Sequence, residues 1–125
     1  MALCNAGRDL ISVAMIGESF TAFNNANARL GVGNSTTAFA ATQTDLQGAS
    51  TLRKAMDATY PTRATNVWTM RTTFATSEAN FAWQEVGVFN SASGVTMLSR
   101  VVSSLGTKDS TAAWQLTLTG TWGAS

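Results

Sequence analysis

The run Trp114 to Trp122, "WQLTLTGTW", decides the fold class. Trp114, Leu116, Leu118, Gly120 and Trp122 alternate with Gln115, Thr117, Thr119 and Thr121. A period of two puts the first set on a core face and the hydroxyl-bearing set toward solvent, the signature of a half-buried strand in an antiparallel sheet. Working back along the chain, "VWTMRTTFA" from Val67 repeats the pattern. Trp68, Met70, Thr72 and Phe74 share one side, and Val67, Thr69, Arg71 and Thr73 the other. Between these two runs, "WQEVGVFN", a turn at "SASG" and "TMLSRVVS" read as an antiparallel hairpin.

Upstream, the spacing predicts strands over Ala28 to Val32 and Leu52 to Ala58, with a turn at "YPTRATN" around the only proline, Pro61. Residues 1–27 read as an N-terminal helix or arm, with Leu10, Ile11, Val13 and Ala14 at helical spacing between Gly7 and Gly17. Residues 28–125 then form the domain proper. Strands separated by turns, with little helix, predict an all-β antiparallel sandwich carrying one long Thr/Ser-rich loop.

That loop runs from Gly33 to Thr51, "GNSTTAFAATQTDLQGAST", where Phe39 and Leu46 are the large apolar residues. Segments of this length inside a small domain commonly serve an interaction. Asn34, Thr36, Thr37, Phe39, Thr42, Thr44, Asp45 and Leu46 are the candidate partner contacts.

A chain of 125 residues is the size of one domain with one core, and 45% apolar content is enough to fold it. Charged residues are only 12% of the chain, half the roughly 25% typical of soluble domains. With a net charge of +1, copies repel one another weakly, which favours association. The eight basic residues are scattered and nearly balanced by seven acidic ones, so no nucleic-acid-binding stripe is expected. The N-terminal stretch has neither the pattern of a signal peptide nor the length of a membrane span, so a cytoplasmically made, unprocessed protein is expected.

Chemistry has few carriers. There is no His, the single Cys4 lies near the chain start, and Lys occurs only at Lys54 and Lys108, which leaves no nucleophile with a base and no Cys/His zinc site. "GVGNST" lacks the lysine of a phosphate-cradling loop. The carboxylates Asp45, Asp57, Glu78, Glu85 and Asp109 show no distinctive spacing. No enzyme activity, cofactor or metal is expected. Glu85 stands out because alternation gives it the face of Trp83, Gly87 and Phe89, where a carboxylate is costly unless paired. Arg71 and Arg100, on neighbouring predicted strands, are its candidate partners in a structural ion pair.

The segments "LGVGNSTTAFAATQTDLQG", "ATSEANFAWQEVGVFN", "SGVTMLSR" and the closing "WQLTLTGTW" together resemble a family of short virion proteins of tailed bacteriophages. The resemblance covers about Arg29 to Trp122. Its most specific part is W-x-E-x-G-x-F-[ND]-x-A-S-G-x-x-M-L-x-R, matched by Trp83, Glu85, Gly87, Phe89, Asn90, Ala92, Ser93, Gly94, Met97, Leu98 and Arg100. Val95 departs from the family, where a second glycine is more usual. The resemblance implies a particle component in the virion and supplies no catalytic residues. It leads to the expectation of a capsid decoration, or cement, protein that binds the major capsid protein and itself as a homotrimer. The alternative it leaves is a tail-fibre or receptor-binding module using Tyr60, Trp68 or the Gly33 to Thr51 segment.

Overall fold

In the computed structural model, which describes residues 2–94 and 96–122, the alternating run Trp114–Thr121 is a strand laid antiparallel on Val67–Phe74. The register sets Phe74 opposite Trp114, Thr72 opposite Leu116, Met70 opposite Leu118 and Trp68 opposite Gly120. Like faces therefore coincide, and the predicted inward sets are the observed ones except for Trp122, which lies past the end of the strand and is exposed. At Gly120 the Trp68 ring lies so close that a Cβ there would sit 2.1 Å from it. Glycine is required at that position by space.

Among the described residues the elements are α1 (Asn5–Met15), β1 (Arg29–Gly33), β2 (Thr51–Ala55), β3 (Thr62–Ala64), β4 (Val67–Phe74), β5 (Ala82–Phe89), β6 (Met97–Thr107) and β7 (Trp114–Thr121). They build two antiparallel sheets, ordered β2-β1-β5-β6 and β3-β4-β7, stacked as a sandwich with one short N-terminal helix. The all-β sandwich is thus the fold. Leu30, Val32, Val86 and Val88 of the first sheet face Met70 and Phe74 of the second. Trp83 packs edge-on against both Phe74 and Trp114, at ring separations of 4.9 and 5.0 Å, and its indole N–H donates to the Ala79 carbonyl at 2.9 Å. Such aromatic pairs add about 0.5–1.5 kcal/mol each beyond their buried area.

Several expected boundaries shift. The first strand is Arg29–Gly33 instead of Ala28 to Val32, and the second is Thr51–Ala55 instead of Leu52 to Ala58. The second ends early because Asp57 turns away: its N–H donates to the Arg71 carbonyl and its own carbonyl accepts from Tyr60 N–H. What reads as one long turn around Pro61 contains the three-residue strand β3, which pairs Thr62 to Ala64 with Thr69 to Val67. Three residues are too few to show a period.

The N-terminal segment is helix followed by arm. Helix α1 stops at Gly17, whose φ of +81° permits the left-handed turn in which Gly17 N–H donates to Ala14 and Glu18 N–H to Val13. It lies flat on β6: a Cβ at Gly7 would come within 2.5 Å of the Leu98 carbonyl oxygen. Leu3 bridges Ser99, and Cys4 N–H donates to the Leu98 carbonyl at 2.9 Å, so the segment is stitched to the sheet before the helix begins.

Candidate functional site

The site grows from an irregularity in β5. Residues Trp83 and Glu85 pair with Gly106 and Val102 of β6, so between them the single Gln84 of β5 lies against three residues of β6, Ser103 to Leu105. Bulges of this kind re-aim side chains. Here Trp83 joins Val86 in the core between the sheets, while Glu85 turns to the outer face beside Gly33. The sequence expectation that Glu85 shares a face with Trp83 is therefore corrected; its companions are Gly87 and Phe89.

On that outer face Glu85 is fully buried. Oε1 accepts from Arg100 Nε at 2.7 Å and from Gln47 N–H at 2.9 Å, and Oε2 accepts from Gly48 N–H at 2.7 Å. Arg100 is the ion-pair partner, equally buried, and its Nη1 donates to Gln43 Oε1 at 3.1 Å. Charge-assisted bonds at both carboxylate oxygens offset much of the desolvation cost of the buried pair, while Arg100 Nη2 is left without a partner among the described residues. Two of the three donors are backbone groups of the Gly33 to Thr51 segment. Glu85 is a latch that holds this loop down on the sheet.

Space for the loop comes from small residues. A Cβ at Gly33 would meet the Glu85 carboxylate at 2.2 Å, one at Gly48 would meet Asn34 at 2.5 Å, and one at Gly31 would meet Leu46 and Phe89 at 2.9 Å. Leu46 is buried with Cys4, Phe89 and Met97, and Phe39 is half-buried against them. Of the candidate contact residues, Asn34, Thr36, Thr37, Thr42, Thr44 and Asp45 are exposed, whereas Phe39 and Leu46 are the loop's anchors. Asn34 Oδ1 accepts from Ser50 N–H and closes the loop at its base. Asn5 N–H donates to the Ala41 carbonyl, which ties the loop to α1 as well.

Arg71 is elsewhere. It lies on β4, in the other sheet, where its Nε donates to Asp57 at 2.9 Å and its guanidinium stacks 4.4 Å from the Tyr60 ring centre. The expectation that it could pair with Glu85 is corrected, because the two strands belong to different layers. Tyr60 and Trp68, the aromatics offered as receptor contacts, are both half-buried.

Several of the other charges are also committed inside the molecule, which the sequence reading missed. Arg53 reaches across the loop to the Ser91 and Gly94 carbonyls and to Asp45, and lies 3.6 Å over the Phe89 ring. Lys54 holds both oxygens of Glu78 at 2.8 Å, and that hydrogen bond, with one from Ala75 N–H, keeps the Glu78 carboxyl below its ordinary range. Lys108 is buried, donating to the Ala75 carbonyl and to Asn80 Oδ1 at 2.8 Å each. The Thr111 hydroxyl and N–H hold Asp109 low, and burial pushes the Cys4 thiol up. No group of three metal-ligating side chains converges among the described residues.

Outside, beside exposed charges such as Arg8, Asp9, Glu18 and Arg63, lies apolar surface. Met15 is 77% exposed and Ile16 68%, with Phe20 and Trp122 above 40%. Ile11, Phe20, Phe23, Trp68 and Trp122 line a shallow groove of about 320 Å³ between α1 and the second sheet. The fold and this site define a β-sandwich in which several charges act as internal fasteners and apolar and hydroxyl-bearing side chains stand exposed. No family model, curated protein or solved structure matches the chain.

Proposed function

We propose that this chain is a structural protein of a bacteriophage virion, a capsid decoration protein that binds the outer shell and stabilises contacts between major capsid protein subunits. The observation that supports it most is the spending of charge. Five of the eight basic residues, Arg53, Lys54, Arg71, Arg100 and Lys108, are engaged within the fold, and Met15, Ile16, Phe20 and Trp122 are exposed beside threonines, with Arg8, Asp9, Glu18 and Arg63 among the charges left at the surface. Isolated monomers rarely expose such residues together, and surfaces of this kind mark docking on another protein. The role fits a fold braced for rigidity: a loop latched by a buried ion pair presents Thr36, Thr37, Thr42 and Thr44 in fixed positions. Homotrimeric assembly is part of the reading, since closed symmetry satisfies an associating surface without open-ended growth.

The test is reconstitution. Purified protein added to capsids assembled without it binds saturably and raises their thermal disruption temperature under this reading. Binding to host cell surfaces with no binding to capsids favours the receptor-binding alternative.

A further inference from the structure

The two sides of the sandwich treat their strand edges differently. β4 packs over β1 and β2, so β2 and β3 form one side, while β6 and β7 meet on the other across a groove of about 300 Å³ lined by Val101, Leu118 and Trp68. On the first side the edges are blunted as monomers require: β2 carries Arg53 and Lys54, and β3 is three residues long with Arg63 at its centre. On the second side neither exposed charge nor a shortened strand is present; β6 is covered at Ser99 by Leu3 and irregular between Val102 and Gly106, and β7 is regular throughout. β7 is eight residues with no charge and no proline. The stretch Val101–Thr107 of β6, "VVSSLGT", is also uncharged, and all seven of its residues are exposed.

From this asymmetry we infer that the β6/β7 side is where copies of this chain join, edge strand against edge strand. The occupant is a second copy because β6 of one copy and β7 of the next can pair around a closed ring: the exposed stretch of β6 and all of β7 are uncharged, carry apolar and hydroxyl side chains, and offer backbone donors and acceptors. A partner recognised by charge would find none exposed on either strand, since Arg100 of β6 is buried. The size also fits. The eight residues of β7 give an edge roughly 27 Å long, and two layers about 10 Å apart with their outer side chains make a face on the order of 700 Å². A standard stable interface takes about 800 Å² per partner. Val101, Val102 and Leu105, each 37–42% exposed, supply its apolar centre.

This interface deepens the homotrimer of the proposed function, but native mass in solution tests it without any particle, so its failure would leave capsid binding to be judged on its own. Light scattering of the wild-type chain across about 1–100 µM, a range set by ordinary protein association constants, is expected to show a multimer. Leu105→Lys, an exposed site, is expected to shift the protein to monomer, with self-association at least about tenfold weaker from burying an unpaired charge. Thr117→Lys on β7 makes the same test should the first variant fold poorly, and unchanged circular dichroism confirms folding. Thr62→Lys on the opposite side should leave the mass unaltered. A wild-type monomer throughout the range, or folded Leu105→Lys and Thr117→Lys proteins with wild-type mass, overturns the inference.

Discussion

Glu85 and Arg100 face each other from adjacent strands with Oε1 and Nε 2.7 Å apart and both side chains fully buried. Removing the charge of one partner leaves the other buried and uncompensated, which typically costs about 3–5 kcal/mol. Glu85→Gln is expected to lower the unfolding free energy by an amount in that range, read as a lower urea midpoint with an unchanged slope. The loop above should open as well, since Gln47 and Gly48 N–H lose a charged acceptor. Wild-type stability of Glu85→Gln would show that the carboxylate is not what holds the loop.

Arg71 gives the companion experiment. Its pair with Asp57 is partly exposed, so Arg71→Met should cost about 1 kcal/mol or less from the ion pair. Combined with Glu85→Gln, the two losses should add within about 0.5 kcal/mol, because residues of different sheets with no shared partner do not couple. Arg100→Met combined with Glu85→Gln should instead cost far less than the sum. Strong coupling of Arg71 to Glu85 in such a cycle would contradict the observed pairing.

How far the sequence reveals this arrangement depends on the residue. The alternation of β4 and β7 is legible because each strand is half-buried along its length. The face of Glu85 is not, since a period of two cannot show where β5 slips against β6. Choosing Arg100 over Arg71 needs the strand order, which the pattern of a single strand does not carry. The loop misleads in a different way. Its small and hydroxyl residues suggest a free arm, but they also let backbone lie flat on a sheet. A readable signal was present in Gly31, Gly33 and Gly87, each without a side chain and all on the face that carries Glu85 and Phe89. A bare patch in a strand marks close backbone approach.

Gly120→Ala tests the packing of the second sheet. Its Cβ would meet the Trp68 ring at 2.1 Å, and overpacking of this kind costs typically about 1–3 kcal/mol. A loss of stability with altered tryptophan fluorescence is expected. An unchanged emission spectrum and melting temperature would mean that Trp68 does not cover Gly120.

Two groups give the pH dependence its sign. Lys54 and the Ala75 N–H lower the Glu78 pKa, so the stability tied to that carboxylate is present above the unfolded value near ~4.3 and is lost as pH falls through the lowered folded value. Lys54→Met should flatten this acid limb in pH-dependent melting. Burial raises the Cys4 pKa, so its contribution is complete below the unfolded value near ~8.5 and is lost as pH rises through the raised folded one. Native Cys4 should accordingly resist thiol reagents at neutral pH until the protein unfolds, and rapid native labelling would place the thiol outside the core.

The loop surface bears on the partner. Thr36→Lys with Thr42→Lys changes exposed side chains only, so stability should stay within about 0.5 kcal/mol of wild type. Capsid binding should weaken at least about tenfold if these residues meet the shell. Deleting Thr36 to Thr44 is a poorer test, because it also removes Gln43 and Ala41, which hold Arg100 and Asn5.

Copy number per particle tests the decoration role most directly. Quantitative mass spectrometry of purified virions, referenced to the major capsid protein, should find this chain at on the order of hundreds of copies, in a simple ratio set by capsid symmetry. A handful of copies per particle, or its absence from purified virions, would contradict the role.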